Sequence, residues 1–281
     1  MWGSHRAAVW GCCRAELTKL LRRPANWLLF AVALVLSLTF TYAVPYAGYA
    51  AGTGGVRSSR GLPALLPEHL VGNSIGGLPV FSGAIVLILA VLAVGGEYGW
   101  GTWKTVLTQG PGRTVLYAGK LLALAAAALV LVLAMFGTGA LASAGIAAAE
   151  GRPVTWPPLG DLITGIGAGW LVAAMWAALG GLLAVLLRGV AVAVGLGLVW
   201  LLAVQNLLAS IAAPLLPWVA DLQKALPGPN AGSLVASLGA GADTPGVAQL
   251  VGVGRATLVV AGYLVGFALL TVALLRRRDV V

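Results

Sequence analysis

The sequence predicts an all-α, polytopic membrane protein: six transmembrane helices, an N-terminal interfacial amphipathic helix, and both termini in the cytoplasm. Three observations predict it. First, 60% of the 281 residues are apolar and 9% are charged, whereas soluble domains carry roughly a quarter charged residues. So few polar residues could not cover a soluble fold of this length. Second, the apolar residues fall into runs of about 20, the length that crosses a ~30 Å hydrocarbon core at ~1.5 Å per residue. Third, these runs do not alternate polar with apolar, as the strands of a membrane β-barrel would.

The elements follow in chain order, within one transmembrane domain spanning residues 1–281. Residues 8–24 form the first. Trp10, Cys13, Leu17, Leu20 and Leu21 recur at steps of three and four, Arg14, Thr18 and Arg22 line another face, and Pro24 ends the helix. With Arg14, Glu16, Lys19, Arg22 and Arg23, it lies in the interface as an elbow before the first span, its cations near anionic headgroups. Two roles fit it: a topology anchor, and a lever that touches a cytoplasmic partner.

The first span is 27–46. It is longer than the 7–15-residue core of a signal peptide, and no small-residue cleavage motif follows it. The later spans are 80–96, 121–145, 164–187, 190–211 and 256–275. Only Arg188 and Gly189 separate the fourth from the fifth, which requires a tight helical hairpin. Two long external segments remain. Residues 47–79 are rich in Gly and Pro, with a flexible Gly52–Gly61 stretch. Residues 212–254 contain PLLPWVADLQKALP, a short helix with Trp218, Leu222 and Leu226 on an apolar side. That helix cannot span, so it lies at or in the outer interface, as a gate or a cap.

Lys and Arg placement sets the orientation. The N-terminus, the 97–120 loop, Arg188 and the tail together hold twelve of the 17 cations (Arg6, Arg14, Lys19, Arg22, Arg23, Lys104, Arg113, Lys120, Arg188, Arg276, Arg277 and Arg278) and three of the eight acids (Glu16, Glu97 and Asp279). The opposite side is balanced. The net charge of +9 is thus explained by topology, without a nucleic acid. Cys12 and Cys13 are adjacent and cytoplasmic, where neighbouring cysteines rarely make a structural disulfide. Two histidines, His5 and His69, both outside the membrane, add too few ligands for a metal site.

No Asp, Glu, Lys or His falls in the middle of an expected span, which argues against an ion-coupled carrier. The groups an intramembrane hydrolase needs are absent as well. The chain is therefore not expected to be an enzyme. The most polar mid-span pair is Gln205–Asn206, below Trp200. It fits an interhelical hydrogen bond of ~1 kcal/mol that fixes packing better than it fits a substrate path for lipophilic cargo. Trp170, Met175 and Trp176 in the fourth span line an apolar cavity or face lipid. Gly165, Gly169, Gly180, Gly181, Gly195 and Gly197 allow close helix approach.

The cytoplasmic segment GGEYGWGTWKTVLTQGPGRTVLYAGK, residues 95–120, is Gly-rich and invites a nucleotide-binding reading. A P-loop ending in Gly119-Lys120 would need Gly at 114 and a hydroxyl at 121, where Thr114 and Leu121 stand. Gly99-x-Gly101 lacks the third glycine of a dinucleotide fingerprint and follows a membrane helix. What remains is a short helix with Trp100, Trp103, Val106 and Leu107 on one side and Lys104, Thr105 and Thr108 on the other. Gly110-Pro111-Gly112 breaks it. Such a helix either presents a knob to another protein's groove or rests on the headgroups with its Trp residues as anchors.

The block EYGWGTWKTVLTQGPGR, followed by a lysine opening an apolar span, resembles the first cytoplasmic loop of bacterial ABC-type exporter permeases of the class-two export family. Glu97, Gly101, Thr102, Leu107, Pro111 and Arg113 match that pattern. ELTKLLRRP before the first span is similar to the family's elbow helix, and RRRDVV to its short basic tail. The resemblance implies a coupling helix, carried by Glu97, Trp100, Gly101, Thr102, Trp103, Lys104, Leu107 and Arg113, that docks into a separate cytoplasmic ATP-binding subunit. It implies two such subunits, which bind ATP and Mg, no cofactor in this chain, and a second permease, identical or paralogous. The expected activity is export of lipophilic or amphiphilic cargo across the bacterial inner membrane, with Trp200, Gln205, Asn206 and Trp176 as the candidate path. A non-transporting immunity or sensor protein and a secondary carrier or channel remain the alternatives.

Overall fold

The computed structural model describes residues 2–52, 61–99, 112–208 and 215–277. Among them every regular element is helical and there is no strand. Helix α1, Trp2–Arg22, is longer than the expected elbow because the sequence offers no breaker before Pro24. Arg23 is extended and Pro24 opens the next helix, as suits a residue with no N–H to leave unsatisfied. Asn26 Nδ2 donates to Leu20 O at 2.9 Å and Trp27 Nε1 to Leu21 O at 2.8 Å. These bonds satisfy two of the terminal carbonyls that any helix leaves bare, and they fix the bend between α1 and its successor.

Helix α2 runs Pro24–Ala50 and widens into a π-helical turn over Thr39–Ala43. Pro45 cannot donate to the carbonyl four residues before it, which accounts for the local loosening. Residues 62–69 form two short 3-10 turns, and α3 (Leu70–Ile75) follows with all six residues buried. The sequence places this stretch in an external loop. Its apolar residues instead make it a short helix driven into the bundle. Then come α4 (Phe81–Gly99), α5 (Arg113–Ala149), α6 (Leu159–Leu187) and α7, an apolar helix over Ala191–Leu207 with a π-helical stretch at Val199–Val204. Two short helices, α8 (Pro217–Gln223) and α9 (Pro227–Ala236), precede α10 (Val253–Arg277).

Five helices, α2, α4, α5, α6 and α10, are long and apolar enough to cross a membrane. Helix α7 is shorter, roughly 25 Å at ~1.5 Å per residue, and the rest of its expected range lies partly outside the described residues. Helix α5 differs most from expectation. It extends eight residues N-terminal of 121, so Lys120 lies inside a helix and not at its mouth. Nothing after Gly112 stops the helix, and the charge of Lys120 is met by partners described below.

Helix α6 is the axis of the fold, packing against α4, α5 and α10. Its segment Val172–Ala178 is buried throughout. A Cβ on Gly180 would sit 2.6 Å from Leu87 O, so α4 and α6 touch backbone to backbone there. Gly195, by contrast, faces open space and is not a close-approach site. The α6–α7 turn is made by Arg188 in the left-handed region (φ 53°). At the other end α9 is almost wholly buried, beside α3, α6 and α10. Helix α8 turns Val219 and Gln223 inward while Trp218 and Leu222 are exposed. The side expected to be buried in the interface therefore points away from the protein, as a lipid- or headgroup-facing surface would.

Candidate functional site

Glu16 lies on the inward stripe of α1, between Cys13 and Leu20, and all three are buried. That stripe packs on the first two turns of α5. The approach is close because residue 119 is glycine: a Cβ there would sit 2.6 Å from Cys12 Cβ and 2.9 Å from the Cys13 backbone nitrogen. Lys120 therefore emerges directly beneath α1, and the last turns of α4 bring Glu97 to the same point.

The result is a buried quartet of two lysines and two glutamates. Lys120 Nζ donates to Glu16 Oε2 at 2.7 Å, to Glu97 Oε1 at 2.9 Å and to Ala93 O at 3.3 Å. Its three donors thus meet three acceptors. Lys19 Nζ donates to Glu16 Oε1 at 2.6 Å and to Glu97 Oε1 at 3.0 Å. Lys120, Glu97 and Glu16 are 1%, 3% and 4% exposed, while the Lys19 side chain is half-buried at the rim. Removing such charges from water costs several kcal/mol each, and only mutual pairing offsets that cost. The formal charges cancel, and each chain segment in the quartet is fixed by the others.

The electrostatics of α1 follow from this. Burial alone would raise Glu16, but Lys120 and Lys19 outweigh it and hold its carboxyl below the ordinary value of 4.5. Burial would lower Lys19, yet its bonds to Glu16 and Glu97 leave it above 10.5. A depressed carboxylate stabilises the folded state above its unfolded value and loses this as pH falls through the folded one. A raised lysine does so below its unfolded value and loses it as pH rises through the folded one. Docking of α1 is therefore expected to hold from about pH 5 to 10 and to weaken on either side. Hydrogen exchange of α1 peptides, corrected for intrinsic rate, measures this; equal protection at pH 3.5 and pH 7 would contradict it. Burial, with the Glu16 charge second, raises the thiols of Cys12 and Cys13, so neither is poised as a nucleophile.

The other residues singled out by sequence fall as follows. Arg14 and Arg22 are exposed on α1. Arg23 Nη1 donates to Leu92 O of α4 at 3.3 Å, and Arg113 Nη1 to Leu275 O of α10 at 3.1 Å. Trp100, Gly101, Thr102, Trp103, Lys104 and Leu107 lie outside the described residues. Both ends of their segment are anchored, one by Glu97 and the other by Arg113 and Lys120. Trp176 is fully enclosed and donates from Nε1 to Leu78 O at 3.1 Å. Fully enclosed, it does not face lipid, because the glycine at 83 lets its indole settle against α4. Gln205 is buried with its amide over Gly228, where a Cβ would overlap it. Asn206 Nδ2 donates to Leu202 O at 2.7 Å on its own helix, and Trp200 is half-buried. None of these four lines the cavity of about 470 Å³ between α2, α3, the start of α4 and residues 241–245, which has Ser37, Thr41, Asn73 and Ser82 among its lining.

Sequence reasoning named Glu16, Lys19 and Glu97 but not Lys120 as a site residue, and it did not join them. The available signal was the 13–16–20 spacing, which puts a carboxylate on an otherwise apolar stripe. Among the described residues no group of three or more His, Cys, Asp or Glu side chains could hold a metal. No curated protein matches this chain. A family model described as ABC-2 family transporter protein matches residues 13–204, from the inward stripe of α1 into α7 and so across the whole quartet.

Proposed function

The chain belongs to the ABC-2 family of transporter proteins, and from that premise we propose that it is the permease half of an ATP-driven exporter. Members of this family are multi-pass membrane components of transport, not catalytic subunits, and normally work with an ATP-binding subunit. In our reading two copies of this chain, or this chain and a paralogue, cross the bacterial inner membrane as six spans each, with both termini cytoplasmic. Each half engages one ATP-binding subunit, which holds ATP and Mg, through Trp100, Gly101, Thr102, Trp103, Lys104 and Leu107, flanked by Glu97 and Arg113. Closure of the ATPase pair moves this segment, and lipophilic or amphiphilic cargo leaves outward.

One observation carries the reading. The two ends of the 97–120 segment are tied to each other and to α1 by the quartet of Glu16, Lys19, Glu97 and Lys120. A push on the segment is thereby delivered at once to α4, α5 and α1, and through the Arg23–Leu92 bond to the head of α2. A loop resting passively on headgroups has no need of such bracing at both ends. The Trp103→Ala/Lys104→Glu double variant is expected to insert normally but to lower permease-stimulated ATP hydrolysis about tenfold, within the usual range of coupling energies. The measurement is ATPase rate in proteoliposomes holding permease and ATP-binding subunit. Unchanged stimulation would remove the segment from the coupling path.

A further inference from the structure

A second cavity, about 370 Å³, lies beneath α1, and none of the four quartet residues lines it. Leu17, Leu20 and Leu21 roof it, Trp27 and Phe30 of α2 form one wall, and α4 and α5 the other, from Leu89 to Ile85 and from Leu124 to Leu131. Its lining is hydrocarbon almost throughout. The two polar side chains that reach it, Asn26 and Trp27, have turned their N–H groups onto the carbonyls of Leu20 and Leu21. Nothing in the cavity asks for a hydrogen bond, so a polar ligand or a string of waters has no partners there.

Its position and rim identify an occupant. Leu124–Leu131 covers eight residues of α5, about 10 Å of depth, against a leaflet roughly 15 Å thick. Above the roof, Trp10, Arg14, Leu17 and Leu21 share one face of α1 at heptad spacing. Trp10 and Leu21 are 62% and 60% exposed. Arg14 is exposed one turn beyond Leu17 and makes no ion pair among the described residues. An indole, a guanidinium and two leucines on one face of an interfacial helix match a phospholipid beside it, the cation at phosphate level and the leucines over the chain.

We propose that this cavity is a built site for one acyl chain of an anionic phospholipid whose headgroup is held by Arg14. The lipid fills the space between α1 and the first three spanning helices, so it braces the Leu17–Leu20–Leu21 flank of the same helix that carries Glu16. It is a resident lipid and is distinct from transported cargo, so the site stands or falls apart from the exporter reading.

The test uses the full chain in nanodiscs of phosphatidylcholine doped with phosphatidylglycerol bearing a photoactivatable diazirine on one chain. Labelled peptides are mapped by mass spectrometry. Adducts should concentrate on residues 27–30 and 124–131, above the level at the exposed Leu258 and Leu269 of α10. An excess of unlabelled phosphatidylglycerol should displace them about fivefold better than phosphatidylcholine does, the preference one cation confers. Arg14→Glu should abolish that preference while adducts remain. Ala127→Trp, which fills the cavity, should bring its adducts down to the α10 level. Wild-type labelling no higher than at α10 would show that the cavity is closed by protein or by ordinary annular lipid, and would overturn the proposal. Equal displacement by both headgroups would overturn the role given to Arg14. Both of these readings come from the wild type, so a variant that fails to fold leaves the proposal testable.

Discussion

Lys120→Met is expected to destabilise the protein by about 3–5 kcal/mol, the cost of breaking a buried ion network from one side. Domains of this kind are typically stable by only about 5–15 kcal/mol, so most of the chain should fail to accumulate in a monodisperse form. The stranded charge, more than the missing hydrogen bonds, is the cause. Without Lys120, Glu16 and Glu97 lose the buried cation they share, and of the four charges two negatives then face the single positive of Lys19 between α1, α4 and α5. The prediction therefore includes its own rescue. Lys120→Met combined with Glu16→Gln restores neutrality and should recover more than half of the lost stability, whereas Lys120→Met with Lys19→Met should be worse than either single change. Thermal melting of the solubilised protein, followed by size-exclusion profile, reads all four. Indistinguishable wild-type and Lys120→Met profiles would mean that the quartet adds nothing to folding.

Gly119→Val acts on the same joint by shape alone. Its Cβ would meet Cys12 Cβ and the Cys13 backbone nitrogen well inside van der Waals distance, and the two methyl groups have nowhere to go unless α1 moves. Overpacking of this sort costs about 1–3 kcal/mol, occasionally more, and the cheapest relief is to lift α1. Cys13, 3% exposed, reports the movement. In a Cys12→Ser background its maleimide labelling at pH 8 should rise about tenfold, as expected for a shift of roughly 1.4 kcal/mol in the undocking equilibrium. ATPase stimulation should fall in parallel although every charged residue is still present. A variant with wild-type labelling and stimulation would show that α1 and α5 are not tightly apposed at this position.

How far the sequence carried the fold can be argued from particular helices. Helices α2, α4, α6 and α10 were legible because a bilayer selects for length and hydropathy, and both are properties of a single segment. Helix α5 was cut short at Lys120 for the same reason: a segment-wise rule treats a lysine as a boundary. It cannot see that Glu16, 104 residues earlier, supplies the counter-charge. Helix α3 is not legible because six residues flanked by His69 and Gly76 are too short for a periodic signal, and their burial depends on Gly72 fitting against Gly239. The site shows the same division. The residue types that bear it stood out as charges near apolar runs, while their convergence depends on the angle between α1 and α5, which Gly119 sets. An aromatic in a membrane helix has the same local signature whether it faces lipid or core, so the enclosure of Trp176 is not legible in the sequence.

The arithmetic of the quartet has a consequence for how the chain is made. It consists of two pairs, each neutral within its own part of the molecule: Glu16 with Lys19 three residues apart on α1, and Glu97 with Lys120 between α4 and α5. The N-terminal pair is synthesised first and can rest on the membrane surface with its charges already matched, long before α5 exists. When the later pair assembles, docking merges two electroneutral bodies, and parting them strands no charge. Near neutral pH the joint is therefore a latch that can close late in biogenesis and open again without a proton being taken up or released.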